Sequence, residues 1–115
     1  MANRNKQRGN EFEREVVNKA KDKGIHAERA YASNGRALGE HEEVDCVLGK
    51  GPDRIRVQAK RRKVLPAYLQ VPEEADIVAF KQDRTAPLVL LPLDDYLDLL
   101  KKAGINRKPR VVRDR

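Results

Sequence analysis

The chain has 115 residues, enough for one domain with a modest core and too few for two. Apolar residues make up 39% and charged residues 37%, which excludes a wholly disordered chain, and no apolar run is long enough to span a membrane. Lysine and arginine outnumber aspartate and glutamate by 25 to 18, a net charge of +7, a surplus that suits either a polyanionic partner or ordinary solubility.

Aromatic residues are only 4% of the chain, so recognition by rows of bases stacked on rings is not expected, and duplex phosphates are the better match. The lone Cys46 excludes an internal disulfide and a multi-cysteine zinc site. The start of the chain, Met1 to Arg8, is polar and basic. It lacks the apolar stretch of a secretory signal, and the expected location is the cytoplasm or nucleoid.

In chain order, residues 1–10 read as a basic arm, 11–105 as the folded domain, and 106–115, with four arginines, Lys108 and Pro109, as a basic tail. Glu11 to Lys23 has helical periodicity and stops at Gly24, a C-cap residue. Ala27 to Ala32 reads as a short strand, and Ser33 to His41 as a loop containing glycine. Glu43 to Leu48 and Arg54 to Arg61 read as two strands around the turn Gly49 to Asp53. A helical turn is expected over Pro66 to Val71, then strands at Ile77 to Phe80 and Leu88 to Leu91. A last helix, Leu93 to Ala103, stops at Gly104. The order predicts an α/β domain, a mixed β-sheet flanked by helices. The late strands and the last helix read as core, with an interface as the alternative.

On a wheel at about 100° per residue with Phe12 at zero, Val16, Ala20 and Val17 fall at about 40°, 80° and 140°. Glu13 falls at about 100°, inside that apolar arc. A carboxylate facing the core is costly without a partner, and an arginine, a lysine or a metal ion would serve. In the hairpin, one register pairs Leu48 with Ile55, Cys46 with Val57 and Val44 with Ala59, apolar against apolar. That register also sets Asp45 opposite Gln58 and Glu43 opposite Lys60, close enough to share a cation. An acid, an oxygen donor and a lysine on neighbouring strands suit metal-assisted phosphodiester hydrolysis. The same alternation also fits a solvated hairpin with no chemistry.

Three stretches read together: Arg8 to Arg14 (RGNEFER), Arg29 to Ser33 (RAYAS), and Asp45 followed by Gln58-Ala59-Lys60. Over roughly residues 8–62 they resemble the archaeal-type Holliday-junction resolvases, PD-(D/E)XK nucleases that also occur in viruses. Gly9, Glu13 and Arg14 match the family's first helix, Arg29 and Ser33 its first strand and loop, and Asp45 and Lys60 its metal and water site. The resemblance implies a restriction-endonuclease-like core. Asp45, Gln58 and the Ala59 carbonyl would ligate Mg²⁺ or Mn²⁺, with Glu13 supporting the metal or its waters. Lys60 would activate water and Ser33 touch the scissile phosphate. Arg14 and Arg29 would hold backbone phosphates, joined by Arg8, Arg36, Arg61, Arg62 and Lys63.

The resemblance further implies a homodimer that nicks opposed strands of a four-way junction, with no membrane and no small-molecule cofactor involved. Gln58 stands where the family usually has Glu, which removes one charge and points to weaker metal binding or a preference for Mn²⁺. Two other readings stay open. One is a nuclease of the same fold cutting flaps, nicked or damaged duplexes, and the other a non-catalytic junction binder. His26 and His41 lack metal-binding spacing and read as surface residues, Cys46 as buried. Glu40, Glu42 and Glu43 read as solubility charge.

Overall fold

The structure is a computed structural model that describes residues 4–30 and 39–104. Ser33, Arg36 and the tail at 106–115 lie outside the described residues. The elements are α1 (Arg4–Asp22), β1 (Ala27–Arg29), β2 (Cys46–Leu48), β3 (Ile55–Val57), β4 (Val78–Phe80), β5 (Leu88–Leu90) and α2 (Leu93–Ala103). Short 3₁₀ turns occupy Gly51–Asp53 and Ala67–Leu69. The class is mixed α/β with the element order read from the sequence. The described strands pair antiparallel throughout and split into a three-stranded sheet, β1-β2-β3, and a separate hairpin, β4-β5.

The first helix starts at Arg4, inside the segment that reads as an arm. It runs straight through Gly9, whose cost of about 1 kcal/mol in a helix interior does not stop it. Its end is a Schellman motif. The Ile25 N–H donates to Ala20 O and the Gly24 N–H to Lys21 O, both at 2.9 Å, with Gly24 at φ +80. This turn delivers the chain into β1 and places Ile25 in the core with Ala20.

The core lies between α1, one face of the three-stranded sheet and α2. It comprises Val16, Val17, Ala20, Ile25, Ala27, Cys46, Leu48 and Leu97, with Phe12, Ile55, Val57, Leu93 and Leu100 packed around it. The arc expected on α1 is the arc that packs. All three residues of β2 are buried, as suits a central strand covered on both faces. Leu97 is the one buried residue of α2. That helix is further tied to α1 and the turn after it by Lys19–Asp94 at 3.3 Å and Lys23–Asp98 at 2.7 Å.

The β4-β5 hairpin is not core. None of its residues is fully buried, and Ile77, Leu88 and Val89 are exposed together with Val64, Leu65 and Tyr68. Unbroken apolar runs made these strands, but the rest of the described domain does not cover them. Tyr68 leans edge-on against Phe80, ring centroids 6.5 Å apart. No helix among the described residues is long and apolar enough to cross a membrane.

Candidate active site

Positions 27 and 29 of β1 share a face, and that face meets α1. Arg29 therefore reaches Glu13, its Nη1 donating to Glu13 Oε1 at 3.1 Å. Glu13 is 5% exposed, and the carboxylate on the apolar arc has a charged partner in Arg29. On the backbone of the same residue, the Glu13 carbonyl oxygen accepts from the Cys46 thiol at 3.8 Å.

The expected register holds at Leu48–Ile55 and Cys46–Val57 and then breaks. The Asp45 N–H donates to Val57 O at 2.8 Å, so Asp45 and Cys46 both stand against Val57. That two-against-one arrangement is a β-bulge, a device that ends pairing and redirects a side chain. The expected pairs Val44–Ala59 and Glu43–Lys60 are therefore absent from the ladder. The Val44 N–H instead closes a turn on His41 O, and the Glu43 N–H donates to His41 Nδ1, both at 3.0 Å.

Asp45 itself is held three ways. Besides its N–H, its carbonyl accepts from Ala30 N–H at 2.8 Å, and its Oδ2 accepts from Ala59 N–H at 2.8 Å. The half-buried carboxylate is thus fixed to the backbone at the start of Ala59-Lys60-Arg61. Gln58 and Lys60 are exposed beside it.

The electrostatics of Cys46 record how closely these groups gather. Burial pushes the thiol up to about 12, the charges of Glu13 and Asp45 push in the same direction, and Arg29 opposes them. At pH 8 a thiol with that value is ionised to about one part in ten thousand. Iodoacetamide should leave Cys46 unmodified in the native protein and alkylate it rapidly once the chain is unfolded. Mass spectrometry before and after denaturation checks this, and rapid native labelling would mean that the thiol is not enclosed.

The cations divide into two sets. Arg61 is spoken for in part, reaching Glu11 Oε1 at 3.3 Å and Arg8 O at 3.5 Å, which fastens the chain beyond β3 to α1. Arg14, Lys60, Arg62 and Lys63 are exposed and have no ion partner among the described residues. Lys63 and Arg8 also line a groove of about 370 Å³ with Gln7 and Glu11.

A family model for the archaeal Holliday junction resolvases (Hjc) matches residues 4–111. The chain belongs to that family. Comparison with curated proteins and with solved structures gives no match. Membership in Hjc implies a nuclease of the junction-resolving class that binds branched DNA and serves recombination and repair. The match runs well past the motifs at residues 8–62 and takes in the hairpin and α2.

Among the described residues no three Asp, Glu, His or Cys side chains are placed together to hold a metal. The oxygen donors that the resemblance would assign to a metal are the Asp45 carboxylate, the Glu13 carboxylate, which is bonded to Arg29, the Gln58 amide and the Ala59 carbonyl, whose own N–H donates to Asp45. This all-oxygen, carboxylate-poor set fits a hard cation that keeps several of its waters. Glu40, which reads as solubility charge in the sequence, is instead largely covered, its Oε2 accepting from Arg54 Nε. Arg54 carries no signal in the sequence, because its partner lies 14 residues away on the far side of the β2-β3 hairpin.

Proposed function

We propose that this chain is a metal-dependent endonuclease that resolves four-way DNA junctions by paired, symmetric nicks. The observation that carries the reading is Asp45, redirected by a bulge and held by the Ala59 N–H beside the buried Glu13–Arg29 pair. Asp45, Gln58 and the Ala59 carbonyl would hold Mg²⁺ or Mn²⁺, with Glu13 behind them. When bound, that ion supplies Lewis acidity at the phosphate and a more acidic water. Lys60 orients the attacking water and stabilises developing negative charge, and Ser33 contacts the scissile phosphate. Arg8, Arg14, Arg29, Arg36, Arg61, Arg62 and Lys63 hold the flanking backbone, giving 5′-phosphate and 3′-hydroxyl ends. The enzyme acts in the cytoplasm, on DNA of the cell or of an infecting virus.

Paired nicking needs two sites, and the apolar face that the hairpin exposes supports a homodimer formed there. A two-stranded hairpin is marginal alone, and an exposed patch of this kind marks an interaction surface. Leu88→Asp with Val89→Asp should convert dimer to monomer in light scattering and replace paired nicks by single ones. A variant that stays dimeric would move the interface elsewhere.

The Gln58 amide offers an oxygen without a charge. Gln58→Glu should lower the Mg²⁺ concentration for half-maximal nicking by about tenfold, since carboxylate count tunes affinity for hard cations. Unchanged metal dependence would take residue 58 out of the site.

Cleavage of an immobile four-way junction, beside linear duplex of the same sequence, with Mg²⁺, Mn²⁺ or EDTA, tests the whole reading. Paired, metal-dependent nicks in the junction alone are the expected result. Equal cutting of duplex would mark a general nuclease of this fold, and tight binding without cutting would mark a junction binder.

A further inference from the structure

Among the described residues, the most covered ion pair away from Asp45 joins Glu40 to Arg54, with side-chain exposures of 8% and 34%. Arg54 uses two sides of its fork. Nε donates to Glu40 and Nη1 to Gly51 O at 3.1 Å, while its backbone N–H also reaches Gly51 O at 3.1 Å. One guanidinium therefore ties the β2-β3 turn to the chain that precedes β2. Charge-assisted bonds of this geometry are stronger than neutral ones, and cover from solvent limits screening.

Glu40 is five residues before Asp45, and the chain between them is laced by the His41–Val44 turn and the Glu43 N–H on His41 Nδ1. Upstream lies the segment that carries Ser33 and Arg36, whose other end follows Arg29, itself fixed on Glu13. Arg54 does not touch the site. Three residue steps of strand at about 3.3 Å each separate it from Val57. Glu40 reads as solubility charge in the sequence, yet its bond to Arg54 fixes it against the β2-β3 turn.

We propose that Glu40 and Arg54 form a positioning pair that holds residues 39–45 in place and so sets the turnover of the site at Asp45. The proposal rests on the nuclease reading for its kinetic consequence but not for its structural one. Both are measured on Arg54→Ala, Arg54→Lys and Glu40→Gln in the full chain.

Amide hydrogen exchange in the native state reports the structural arm without any DNA. Arg54→Ala should speed exchange at Val44 and Ala59 by about tenfold while the Val17 and Leu48 amides keep their protection. In single-turnover nicking the rate should fall by about tenfold at unchanged junction affinity, because small misplacements of a reacting group are costly. Glu40→Gln keeps an oxygen for Nε and should retain more of both than Arg54→Ala. Arg54→Lys loses the fork and should behave like the alanine variant.

Unchanged exchange at Val44 and Ala59 overturns the proposal, as does uniformly faster exchange, which would mean general destabilisation. Loss of nicking with normal exchange also overturns it, since Arg54 would then act directly on DNA. If the wild type binds junctions without nicking, the nuclease reading fails and the exchange result alone decides the pair's role.

Discussion

Asp45→Asn is expected to reduce junction nicking by about two to three orders of magnitude while leaving folding and junction affinity close to wild type. The new amide oxygen can still accept from the Ala59 N–H, which in the native protein lies 2.8 Å from Asp45 Oδ2. The two backbone bonds to Val57 and Ala30 involve no side-chain atom and persist. Once the amide oxygen turns to Ala59, the NH₂ group occupies the remaining position, where it presents donors to any cation. The substitution therefore removes charge and reverses polarity at one point without opening a cavity. Gel-shift titration and single-turnover cleavage on the same preparation separate the two effects. An Asp45→Asn variant that nicks at the wild-type rate would place the chemistry away from this bulge.

The largest effect on stability should come from Leu97→Ala, which is expected to cost about 2–5 kcal/mol. Leu97 is fully buried and is the one residue through which α2 enters the core. Leu93 and Leu100 only flank it, and the ion pairs that Asp94 and Asp98 make are substantially exposed and contribute little. In a domain of this size the loss corresponds to a fall in melting temperature of on the order of 10–20 °C. Scanning calorimetry measures it. A fall of only a few degrees would show that α2 stays docked through its edges.

Much of the framework is legible because two periodicities run cleanly. The apolar arc of α1 names Val16, Val17 and Ala20 and marks Glu13 as a carboxylate needing a partner. Alternation in the hairpin names the Leu48–Ile55 and Cys46–Val57 pairs. Four features are not legible, each for its own reason. The bulge at Asp45 is a choice of hydrogen-bond partner by the backbone, and the side chains of 43–45 and 58–60 alternate as well with it as without it. The Glu40–Arg54 pair joins residues separated by a turn and a strand, and short-range patterns do not reach that far. The exposure of β4-β5 depends on what the remainder of the domain covers, which the apolar runs Ile77 to Phe80 and Leu88 to Leu91 do not encode. The helix start is hidden as well, because the polar, basic residues 1–10 read as an arm.

Because the backbone bonds of Asp45 and the amide of Ala59 set the carboxylate, adjacent side chains have little part in aiming it. Exchanges among small or polar residues at Glu43, Arg56 or Gln58 should be borne easily by the fold. Loss or gain of a single residue between His41 and Cys46 should not, since the extra position that makes the bulge would vanish or double. Drift among related chains would then be broad in letters and narrow in spacing across this short stretch, and libraries built on this scaffold can vary composition there while holding length constant.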